Sequence, residues 1–247
     1  MSTRALYTFK GKRSDGSPHS FNVYKHHDGY PSGARDVLNT TIDWFAWPLP
    51  RYESDAFAAA FCAAGKAHWL ERVVTALDES ADADERKFAL EMFQAYMPGG
   101  RYRESSGGGI RLMPAGDPRK VAAKNCCDIE YRYEISLKDK KLYVRCLSVS
   151  WYERGEGDKW VELAAPKEKE LFSGTFDAFS AWVDEEEAKE RRELAEEKGF
   201  SVVPSGDKFV WNRPNPNGTT GHYTSPDKYD SEVAAWDAAY EQARNMR

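Results

Sequence analysis

Ile129-Glu130-Tyr131-Arg132-Tyr133-Glu134-Ile135-Ser136-Leu137 decides the fold class. Large apolar residues stand at every second position, with Glu130, Arg132, Glu134 and Ser136 between them. Successive side chains of a strand point to opposite sides, so this period of two marks a β-strand with one buried face. Lys138-Asp139-Lys140-Lys141 makes a turn, and Leu142 to Tyr152 returns as a second strand. Alternation in the returning strand changes phase at Cys146-Leu147, which predicts a β-bulge there.

Further strands are expected at 5–10 and 20–25, on either side of a turn-rich stretch, and at 110–113 and 159–163. A helix is expected from Ser32 to Asp43, with Val37, Leu38 and Ile42 inward, ending before Trp47-Pro48-Leu49-Pro50 because prolines cannot continue it. Phe57, Phe61 and Ala64 predict a short helix over 53–64, closed by Gly65. Two more helices, 67–77 and 84–97, read as an insertion. Residues 175–198 form a long helix whose first half carries Phe176, Phe179, Trp182 and Val183, with Gly199 as its C-terminal cap. The tail reads as strand 200–203, strand 208–212, polar loop 213–227 and helix 229–245, the last with Tyr229, Val233, Trp236 and Tyr240 on one face.

Together these segments predict an α+β fold. An antiparallel sheet has helices packed on one face, with a helical insertion at 66–104 and a C-terminal strand–strand–helix appendage. The expected divisions are a core at 1–172, the long charged helix at 173–198 and the appendage at 199–247.

Composition bounds the function. Leu, Ile, Val and Phe supply only 42 of 247 residues, a level that suggests disorder. The 8 Trp, 13 Tyr and 12 Phe oppose that reading, because each aromatic ring buries about 150–250 Å². Net charge is -5, and residues 175–198 hold nine acids against four bases, so the remainder is balanced. Without a basic excess, direct nucleic-acid binding is not expected. Cys62, Cys126, Cys127 and Cys146 form no C-x-x-C pair, and the N-terminal stretch has no apolar signal core. Reduced thiols in a cytoplasm follow as the expectation, with no membrane association, since no apolar run approaches about 18 residues.

Three blocks carry a resemblance. They are Tyr24-Lys25-His26-His27-Asp28-Gly29-Tyr30-Pro31-Ser32-Gly33, Arg51-Tyr52-Glu53-Ser54-Asp55-Ala56-Phe57-Ala58-Ala59-Ala60-Phe61 and Asp128-Ile129-Glu130-Tyr131-Arg132-Tyr133-Glu134. The pattern resembles a group of uncharacterised proteins encoded by phages and prophages, over roughly 5–65 and 105–150. The resemblance brings no activity with it. It implies a setting, the cytoplasm of a bacterial host, where accessory proteins disarm host immunity. The expected partner is a host defence protein or a nucleotide second messenger. Homo-oligomerisation stays open.

Six features of the sequence are candidate sites. Lys25, His26, His27, Asp28 and Tyr30 precede a helix start, where free N–H groups and the dipole attract anions, and Arg111 could add a phosphate contact. The competing and stronger reading is a structured turn, with Asp28-Gly29 at positive φ and Ser32 as helix cap. His222-Tyr223-Thr224 matches half of a two-histidine phosphoesterase signature, which needs a second such unit. The five histidines lack zinc-ligand spacing, so no metal is expected, and no cofactor motif is present. Cys62 and Cys126-Cys127 have no evident base beside them. Gly107-Gly108-Gly109 is not a phosphate-binding loop. Glu185, Glu186, Glu187 and Glu190, with His222, offer a surface for a basic partner, against the plainer reading of a solvated, self-paired helix. A complete catalytic set is not visible, so non-catalytic binding is the expected function. The alternative is a phosphate- or nucleotide-handling enzyme using His26, His27 and Asp28.

Overall fold

The structure is a computed structural model that describes residues 3–12, 15–45, 54–65, 110–113, 129–154, 159–214 and 221–246. The expected insertion at 66–104, the triple glycine and Cys126-Cys127 lie outside the described residues. The chain divides into two compact units, 1–180 and 181–247. That division falls inside a helix.

In the first unit the strands are β1 (Ala5–Lys12), β2 (Pro18–Lys25), β3 (Ile110–Met113), β4 (Tyr131–Lys138), β5 (Lys141–Arg154) and β6 (Trp160–Thr175). They form one sheet in the order β3-β2-β1-β4-β5-β6. Every neighbouring pair is antiparallel except β1 and β4, which run parallel, with Tyr7 opposite Tyr133. The helices are α1 (Pro31–Thr40), continued by a π-helical turn (Thr41–Phe45), α2 over 54–65 and α3 (Phe176–Glu197). The α+β class thus stands.

One face of the sheet meets the helices through rings. Tyr7 stacks on Tyr133 at 4.8 Å, and Phe61 from α2 lies 4.5 Å from Tyr7. Phe57 and Phe61 cover Phe9, and Phe179 from the first turn of α3 packs edge-on against Tyr133. Few aliphatics are needed because these fully buried rings supply the apolar area. On the opposite face, Leu6, Tyr24, Ile129 and Val149 form a smaller buried cluster.

The phase change in β5 has its explanation in these two cores. Cys146 is buried on the ring-bearing side opposite Tyr133, whereas Leu147 and Val149 are buried in turn. The β4–β5 register runs unbroken through this point. The irregularity lies between β5 and β6, where Cys146 faces Phe172 but Leu147 faces Glu170, so β6 carries the extra residue. β6 is also far longer than the expected 159–163. As an edge strand it has little buried alternation to betray it, and Pro166 with Lys167-Glu168-Lys169-Glu170 discourages another strand from adding there.

Beside the smaller cluster lies an ion-pair network. Arg132, only 3% exposed, forks onto Glu168 at 2.7 and 2.9 Å and reaches Glu134 at 2.6 Å. Lys10 pairs with Glu134 at 2.7 Å. Burial works to raise the Glu134 carboxyl, but hydrogen bonds and charge from Lys10 and Arg132 outweigh it and hold the group down at about 2.

The second unit contains the later turns of α3, the antiparallel sheet β7 (Ser201–Ser205), β8 (Lys208–Pro214) and β9 (His222–Thr224), and α4 (Glu232–Arg244). Its core is Ala195, Phe200, Trp211, Trp236, Ala239 and Ala243. Gly199, at φ +84°, ends α3 as expected, with Phe200 N–H returning to the Ala195 carbonyl at 2.9 Å. Ser231 caps α4 by accepting from Ala234 N–H at 3.1 Å. Two expectations need correction. β9 lies within the stretch read as loop. Val233 is 61% exposed, because the buried stripe of α4 runs through Ala235, Trp236, Ala239 and Ala243 and Val233 falls on the other side.

Candidate functional site

The turn from Lys25 to Gly33 links β2 to α1 in the first unit. Lys25 sits opposite Ala5 on β1 and Ile110 on β3, and is 4% exposed. Its ammonium donates to the carbonyls of His27 at 2.6 Å and Asp28 at 2.7 Å. A buried cation needs acceptors, and the chain bends back to supply them. Asp28 takes φ 51°, the left-handed region that Asp tolerates better than most residues. Positive φ was expected of the Asp28-Gly29 pair, and Asp28 is the residue that adopts it.

Gly29 is held at both backbone groups. Its N–H donates to the Thr3 carbonyl at 2.9 Å, and the Tyr133 hydroxyl donates to its carbonyl at 2.9 Å. Gly33 stands so close to Asp28 that an added Cβ would lie 2.3 Å from the Asp28 carbonyl oxygen. Ser32 is not the helix cap. Tyr30 occupies that position with extended backbone, Pro31 follows inside the first turn, and no side chain caps the N–H groups. Proline at the helix start shifts the boundary forward and leaves Ser32 within the helix.

The remaining polar groups gather around this frame. Tyr24 Oη and His26 Nδ1 lie 2.6 Å apart, and the His26 and His27 rings meet perpendicularly at 4.6 Å. Tyr30 Oη donates to Asp28 Oδ1 at 3.4 Å. Burial pushes the His27 imidazole below its ordinary pKa, Asp28 opposes that, and Lys25 and Arg4 add to it. His27 is therefore neutral near pH 7. Below the turn, burial raises the Tyr7 and Tyr133 hydroxyls well above the usual tyrosine range and pushes the Cys146 thiol up to about 12. Cys146 is thus a protonated core thiol rather than a nucleophile.

Lys25, His26, His27, Asp28 and Tyr30 are brought together in this one turn. Arg111 pairs with Tyr24 through the backbone, and its side chain lies outside the described residues. In the second unit Glu185, Glu186 and Glu190 are exposed on α3, and Glu187 is half-buried. His222 is exposed on β9. Among the described residues, no group of three His, Cys, Asp or Glu side chains is placed to hold a metal. No described helix is long and apolar enough to cross a membrane. Sequence reading missed Thr3, Tyr24 and Tyr133 as partners of the turn. Only the alternation that buries Tyr133 pointed toward the last.

Comparison with family models, curated proteins and solved structures finds no match.

Proposed function

We propose that this chain is a non-catalytic binding protein, a phage-encoded accessory factor that inhibits a bacterial host defence system by occluding a host protein. The phage setting rests on the resemblance of the 24–33, 51–61 and 128–134 blocks. One observation supports binding over catalysis. The cation of the candidate turn is spent on its own backbone, since Lys25 donates to the His27 and Asp28 carbonyls from a buried position. A phosphate site needs such a charge facing outward. The same feature disfavours capture of a nucleotide signal in this turn and makes a protein the preferred partner. The exposed carboxylates of Glu185, Glu186 and Glu190 suit a basic protein surface.

Native mass spectrometry of the protein purified gently from a bacterial host tests this reading. A host protein retained in defined stoichiometry is the expected result. A retained nucleotide-sized mass would overturn occlusion in favour of a nucleotide-binding role.

A second reading, a phosphate- or nucleotide-handling enzyme, is favoured by His27, whose lowered pKa keeps the neutral form that a general base requires. Under that reading, His27→Ala abolishes turnover of a phosphoester substrate while the fold is retained. Phosphoester turnover equal in His27→Ala and the parent protein would remove it.

A further inference from the structure

We draw no further inference here: the strongest candidate, the exposed β9 strand where Arg213 lies over the Tyr223 and Phe200 rings at 5.3 and 5.9 Å, has no second neighbouring strand among the described residues, and nothing in the structure shows what covers it.

Discussion

The Lys25 turn and the acidic face of α3 both carry charge, yet they use it in opposite ways. Lys25 is buried, and its ammonium is taken up by two carbonyls of its own turn. Glu185, Glu186 and Glu190 stand exposed on their helix. Charge directed inward specifies a backbone path, whereas charge facing water remains available to a partner. A histidine-rich turn at a helix start resembles a catalytic loop in sequence, but its cation is a fastener.

The largest effect is expected away from both regions, in the ion-pair network that is the extreme case of inward charge. Arg132→Met leaves Glu134 and Glu168 without their shared cation, and a urea titration should show a loss of about 3–5 kcal/mol. The network also sets an acid dependence. The Glu134 carboxyl sits at about 2 in the folded chain against an ordinary 4.5, so the folded state binds fewer protons across that window. Its stabilisation is complete above about pH 4.5 and is lost as pH falls towards 2. Stability of the Arg132→Met variant should therefore fall less steeply with acid than that of the parent. Equal slopes would mean that Arg132 does not help Lys10 hold the Glu134 carboxyl down.

Lys25→Met comes next. It keeps the length of the side chain but leaves two carbonyls short of a donor, a cost of about 2 kcal/mol. A variant as stable as the parent would mean that the ammonium does not fasten the turn, and the contrast with α3 would fail.

Tyr7 and Tyr133 sharpen the comparison because their rings are stacked and equally buried. The Tyr133 hydroxyl donates to Gly29, whereas the Tyr7 hydroxyl is buried with no hydrogen-bond partner among the described residues. Tyr133→Phe should cost about 1 kcal/mol, and Tyr7→Phe should be neutral or stabilising. Thermal denaturation of the pair reads the difference directly, and a reversed order would contradict the assigned hydrogen bond.

Much of this architecture was legible where burial writes a period into the sequence. Tyr131, Tyr133 and Ile135 alternate with polar residues, and β4 is where they said it would be. The signal fades where burial is absent or two-sided. β6 runs along an edge, so Ala164 to Glu170 carry no clear alternation, and β5 contributes to cores on both faces. The parallel pairing of β1 with β4 joins segments far apart in the chain, and nothing local encodes it. The candidate turn was visible as His26-His27-Asp28-Gly29, and the structured-turn reading anticipated its bend. Its fastening was not visible. Lys25 shares the alternation of Phe21 and Val23, but the backbone carbonyls that accept from it carry no sequence signal, and the Tyr133 hydroxyl reaches Gly29 from 104 residues away.

The smallest effect on stability carries the largest functional weight. Replacing Glu185, Glu186 and Glu190 by Lys should change stability little, because all three are exposed. Native mass spectrometry of this triple variant, of His26→Ala/His27→Ala and of the parent protein, all purified side by side from the same bacterial host, tests whether α3 carries recognition. The parent and the histidine variant should retain a host protein, and the triple variant should lose it. Retention by the triple variant with loss from the histidine variant would contradict that role, and would move recognition from α3 to the turn.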